Sequence, residues 1–193
     1  MRKKPIINDA AVRNRYAELG VETYYRQEGG DYSNPHFPQI RELLLRNRHR
    51  IDFSRSLDFC CGSGEVSKVV LEMGHPLPLA SDPFTAEAYR RNFDAECLHW
   101  SFDDVIRGNA GGGFSVVVCS FAMHLCPEKK WYPLTRQLLA MAPQLVVITP
   151  HKRPDLSGLD GVQLEFEDTW PTERGKLVFL KSYSLRSGAG ESR

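Results

Sequence analysis

Seven consecutive residues, Asp58-Phe59-Cys60-Cys61-Gly62-Ser63-Gly64, place an acid just ahead of two closely spaced glycines. Gly62 and Gly64 permit close backbone approach and dihedrals that other residues rarely adopt. The segment leads from a short apolar run, 56–60, into a helical pattern over 65–73. The unpaired N–H groups at that helix start favour a polar or anionic group above the turn, such as a carboxylate. Asp82 closes the next apolar run about twenty residues on, where a carboxylate is placed to accept from ribose hydroxyls. The pair points to a nucleoside-like ligand. Three histidines, His36, His124 and His151, fall near predicted strand ends, where imidazoles can move a proton at neutral pH. Any one of them alone is more often a surface or structural residue.

These residues need a scaffold, and the sequence specifies one by alternation. Apolar strand patterns over 56–60, 77–81, 96–100, 114–120 and 145–149 alternate with helical patterns over 65–73, 85–93 and 128–141. Val66, Val69, Val70 and Met73 mark the buried stripe of the first of these helices, and Gly74 ends it. Apolar strands alternating with helices predict a doubly wound, mostly parallel α/β sheet with helices on both faces. The tail switches to period-two alternation over 162–167 and 176–183, separated by Pro171 to Gly175, which predicts an antiparallel hairpin at the sheet edge. Upstream, residues 1–28 read as helix and 29–38 as a Gly- and Pro-rich loop. A second helix there carries Ile40, Leu43 and Leu44. The expected division is an N-terminal helical segment with a lid-like loop (1–54), a ligand-binding core (55–186) and a frayed tail (187–193).

Bulk properties narrow the classes. The chain has 193 residues, enough for one domain with a full core. Hydrophobic residues make up 41% and charged residues 25%, an ordinary globular balance. A formal net charge of +1 gives no overall field for nucleic acid or anionic membrane. There is no run of eighteen apolar residues, and the basic Met1-Arg2-Lys3-Lys4-Pro5 is not followed by an apolar signal core. Five cysteines without framework spacing read as reduced thiols, and a cytoplasmic location is expected. The adjacent Cys60 and Cys61 lack zinc-ligand spacing, and no metal is expected.

The run from Leu57 to Gly64 resembles the first motif of class I S-adenosylmethionine-dependent methyltransferases. In that family an aspartate and an apolar residue precede glycines at alternate positions. Cys60 departs from it, standing where the family usually has its first glycine. The resemblance covers residues 55–185 and implies S-adenosyl-L-methionine as cofactor, with strand order 3-2-1-4-5-7-6 and strand 7 antiparallel. It places Asp58, Cys60, Gly62 and Gly64 at the cofactor turn, and Asp82, Pro83 and Phe84 at the ribose. Phe102 and Asp103 fall at the adenine, Ser120 and Phe121 on the methionine and substrate side. An N-terminal cover would bring Tyr25 and Arg26 to the methionine carboxylate. About a dozen residues join the fifth strand to the hairpin, so the usual helix there is expected to be very short or missing.

Methyl transfer from a sulfonium is an in-line displacement, for which the protein must mainly align the nucleophile and exclude water. His124 and His151 are the candidate bases. The neutral net charge leans toward a small-molecule acceptor. RNA or protein acceptors, and a catalytically inactive cofactor-binding module, are the alternatives. The basic 46–50 run and Lys152-Arg153 could meet phosphates, although such runs are usually solvated faces. No Asn/Asp-Pro-Pro-aromatic segment follows the fourth strand, which argues against adenine amino methylation by the familiar route. Cys119 lacks the Pro-Cys pair of RNA cytosine-C5 enzymes. The glycine spacing argues against a nicotinamide oxidoreductase.

Overall fold

The computed structural model describes residues 34–186. One seven-stranded sheet has the order β3-β2-β1-β4-β5-β7-β6, the order expected above. Five strands run parallel: β1 (Ser56–Phe59), β2 (Leu79–Ser81), β3 (Cys97–Leu98), β4 (Val116–Ser120) and β5 (Gln144–Thr149). The last strand in sequence, β7 (Leu177–Leu185), inserts antiparallel between β5 and β6 (Val162–Pro171). The helices are α1 (Phe37–Asn47), α2 (Glu65–Glu72), α3 (Ala86–Phe93), α4 (Phe102–Ile106) and α5 (Glu128–Met141).

Side-chain alternation along the strands decides which layer each residue joins. Val116, Val118, Val146 and Ile148 pack with Ile40 and Leu43 of α1 and Val66 and Val69 of α2. Val117, Cys119, Leu145 and Val147 pack on the other face with Leu134 and Leu138 of α5. Burial on both faces is why these strands read as continuous apolar runs rather than alternating ones. The same parity turns Asp58 toward α2, while its neighbours Leu57 and Phe59 enter the α5 layer.

Several boundaries differ from the sequence pattern. β2 begins after Pro78, which has no N–H to give to a ladder. β3 is reduced to two residues, and the chain then turns into α4, a helix the apolar pattern does not announce. Ser101 and Asp104 start that helix with a reciprocal capping box. The 150–161 connection carries no helix, as its length requires. The basic end of α1 is fastened to the edge strand. Arg46 lies 5.0 Å from the Trp170 ring centroid and pairs with Asp168 at 3.2 Å, and Arg50 lies 3.6 Å from the Phe166 centroid.

Candidate active site

The glycine turn after β1 has a left-handed backbone at three points. Cys60 has φ 57°, Gly62 φ 60° and Gly64 φ 91°. Cys60 therefore takes a left-handed conformation that favours glycine, at about 1–2 kcal/mol of steric cost. The turn is held by Asp82, only 7% exposed. Its Oδ2 accepts from Gly62 N–H at 3.2 Å, and its Oδ1 accepts from Phe84 N–H at 2.8 Å and Thr85 N–H at 2.9 Å. The Thr85 hydroxyl returns a bond to the Gly62 carbonyl at 2.9 Å. A carboxylate offers about four acceptor positions. Three are filled by backbone, which leaves one on Oδ2.

Above the turn lies a cleft of about 380 Å³ at the carboxyl ends of the strands. Of the sequence-predicted residues, Cys60, Gly62, Asp82, Pro83, Phe84, Phe102, Asp103, Ser120 and Phe121 line it. Asp58 and Gly64 do not; they stand behind the wall. Gly64 is the N-cap of α2. A Cβ built on it would collide with the Phe93 ring and come within 2.9 Å of Tyr89 Cδ2. Close helix packing demands this glycine. Tyr25 and Arg26 lie outside the described residues.

The wall also contains residues the sequence did not single out as ligand contacts, among them Asn34, Glu65, Ser101 and Lys130. Lys130 on α5 reaches across to Asp103, with Nζ 2.7 Å from Oδ1 and 2.9 Å from Oδ2. No local pattern joins residues that far apart in the chain. Ser101 was accessible in principle, because Ser-x-x-Asp is a helix-start signature. Phe121, also in the wall, stacks on the His36 ring, with centroids 4.8 Å apart and planes 14° apart.

His124 sits on the 3₁₀ turn Met123–Leu125, between wall residues Ala122 and Leu125. His151 follows β5. The two rings meet edge to face at 5.7 Å. Neither lines the cleft itself. The cysteines are free thiols. Cys61 Sγ lies 3.6 Å from Cys97 Sγ. The Cys60 thiol is held well above its usual range by its bond with Cys119 and by burial, and burial pushes Cys126 up to about 12. Protonated thiols are poor nucleophiles, which speaks against cysteine-based catalysis at these two positions.

Asp58 is 1% exposed. Its Oδ2 accepts from the Ser67 N–H at 3.1 Å and the Ser67 hydroxyl at 2.8 Å, and Tyr89 Oη lies 3.2 Å from that hydroxyl. Its Oδ1 has no hydrogen-bond partner among the described residues. Burial drives the carboxyl up to about 8, against the lowering effect of the Ser67 bonds. An unfolded Asp titrates at about 4. Between these values the folded chain holds the extra proton. The contribution to stability is therefore complete below about pH 4 and is lost as pH rises through about 8. Urea midpoints measured at about pH 5 and about pH 8.5 should drop more for wild type than for Asp58→Asn, which has no proton to release. Equal drops in the two proteins would refute the assignment.

This sheet order, with a glycine turn after β1 and an acid at the end of β2, is the architecture of class I S-adenosylmethionine-dependent methyltransferases. Solved structures agree. The magnesium protoporphyrin IX methyltransferase of Synechocystis, with S-adenosylmethionine bound, superposes with TM-score 0.58 at 15% identity, covering 94% of this chain and 100% of that one. A TehB-like S-adenosylmethionine-dependent methyltransferase of Corynebacterium glutamicum gives 0.59 at 16% identity, covering 92% and 100%. TrmN of Thermus thermophilus gives 0.56 at 17% identity, covering 77% of this chain and 52% of that one. No family model matches the chain. In sequence it is 31% identical over 234 residues to an uncharacterized protein of Schizosaccharomyces pombe, covering 92% of this chain and 94% of that protein. The chain belongs to the same family as that fission-yeast protein.

Proposed function

We propose that the protein is an S-adenosyl-L-methionine-dependent methyltransferase acting on a small molecule. The observation that carries the cofactor assignment is Asp82, which has one acceptor position left beside the turn it organises. The cleft supports it. Its volume falls within the range of about 300–1,000 Å³ common for small-molecule sites. The wall includes Ser120, whose Oγ has no hydrogen-bond partner among the described residues. When bound, the cofactor supplies a methyl group already activated by its sulfonium.

The chain's own residues then hold and orient. Asp82 accepts from a ribose hydroxyl. Phe102 and Asp103 form the adenine end, with Lys130 fixing the Asp103 carboxylate. Phe121, held by the His36 stack, closes the methionine side. His124, set between the wall residues Ala122 and Leu125, and His151, in edge-to-face contact with it, are the proposed proton acceptors for an acceptor group that must lose a proton. A small-molecule acceptor is favoured by the net charge of +1. No helix among the described residues is long and apolar enough to cross a membrane. The five free thiols support a reducing, cytoplasmic compartment.

Calorimetry with S-adenosylmethionine and S-adenosylhomocysteine tests the reading at its root, and no binding of either would end it. Transfer from labelled cofactor to a panel of small molecules, RNA and protein then separates the acceptor classes. Binding without transfer to any of them would favour an inactive module. For an acceptor that must lose a proton, His124→Ala combined with His151→Ala should leave cofactor affinity unchanged and slow transfer by about 10²–10⁴-fold. An unchanged rate would remove both histidines from the chemistry.

A further inference from the structure

We propose that Glu65 recognises the α-ammonium end of the cofactor while holding Asn34 in the cleft wall. The inference rests on the cofactor reading above. Glu65 is the first residue of α2 and lines the cleft beside Gly62. Its Oε1 accepts from Asn34 N–H at 2.7 Å and from the Ser63 hydroxyl at 2.6 Å. Both bonds fall on Oε1, which leaves Oε2 for a ligand.

A carboxylate that only clamped a loop could be replaced by any acceptor. The placement argues for more. Asn34 is 7% exposed and lines the same cleft. Its side chain in turn accepts from His36 N–H at 2.9 Å, and His36 stacks on Phe121. Glu65 therefore links Asn34 and the glycine turn on the side of the cleft where Phe121 lies. Lys68, the cation one turn further along α2, is drawn onto the Phe37 ring, 4.9 Å from its centroid. The cofactor carries an ammonium and a sulfonium, and a carboxylate with one open oxygen suits that end.

The test compares three probes by calorimetry on the full chain: S-adenosylmethionine, S-adenosylhomocysteine and 5′-methylthioadenosine, which lacks the amino-acid end. Glu65→Gln keeps an acceptor for Asn34 and Ser63 but removes the charge. It should weaken the first two probes by about tenfold or more and the third by less than about twofold. Glu65→Asp, which keeps the charge, should bind the two amino-acid-bearing probes more tightly than Glu65→Gln does. Equal losses for all three probes in Glu65→Gln would reduce Glu65 to a structural clamp, and no loss for any would remove it altogether. If wild type binds 5′-methylthioadenosine but gains nothing from the amino-acid end, the assignment of Glu65 fails while the nucleoside site stands. If wild type binds none of the three, the cofactor reading itself falls and takes this one with it.

Discussion

Replacing Asp82 with alanine is expected to weaken S-adenosylmethionine binding by about a hundredfold and to destabilise the fold by several kcal/mol. Two effects combine. On the proposed reading the ribose would lose a charged acceptor, and a hydrogen bond to a charged group is worth about 1.5–3 kcal/mol. The N–H groups of Gly62, Phe84 and Thr85 also lose their partner at once. Each donor left buried costs about 1–3 kcal/mol. Asp82→Asn separates the two effects. Its carbonyl can still take the Phe84 and Thr85 donors, but its amide turns a donor toward Gly62 N–H. Stability should fall less than in the alanine variant, while cofactor affinity stays low. Calorimetry and thermal melts of both variants decide it. Wild-type affinity in Asp82→Ala would refute the ribose role.

Gly64→Ala should be the most damaging single methyl in the turn. A left-handed φ of 91° costs an L-residue about 1–2 kcal/mol. The added Cβ also meets the Phe93 ring and sits 2.9 Å from Tyr89 Cδ2. Tyr89 is fully buried and stacks on Phe93, with centroids 4.6 Å apart, so it has little room to retreat. Overpacking of this kind adds about 1–3 kcal/mol. The sum, about 2–5 kcal/mol, predicts a fall in Tm of about 5–15 °C. Phe93→Ala should relieve part of the clash, so the double variant should lose less than the two single losses added together. Strict additivity would show that φ alone sets the requirement for glycine.

The two cases show what sequence pattern reaches and where it stops. Strand parity is a local property, so β4, β5 and their two-sided burial are readable from Val116 to Cys119 and from Leu145 to Ile148. The hairpin is legible for the same reason, although its strands extend further than their alternation suggests. Asp82 and the glycine turn are brought together across one strand–helix–strand unit, a spacing that fold regularity fixes. Contacts made only by packing are another matter. Gly64 reads as a ligand glycine until Phe93 is seen above it. The Lys130–Asp103 pair and the Asn34–Glu65 bond join residues on different elements with no shared period. α4 escaped because it is a single turn begun by a cap rather than by an apolar stripe. Cys60 reads as a departure from the family turn, and its backbone takes a left-handed φ that favours glycine.

The position of β7 matters before the protein is ever folded. β7 follows β6 in the chain yet lies between β5 and β6, so the sheet cannot close in the order in which the ribosome delivers it. β6 emerges with its neighbour not yet made, exposing Phe166 and Trp170 on a strand without a ladder. At synthesis rates of about 5–20 residues per second that exposure lasts a second or so. A premature stop before Leu177 would remove the seam that joins β6 to the other strands, leaving an open β5 margin and an orphaned ribbon. Nascent chains stalled in this interval should be the form most readily captured by chaperones and proteases.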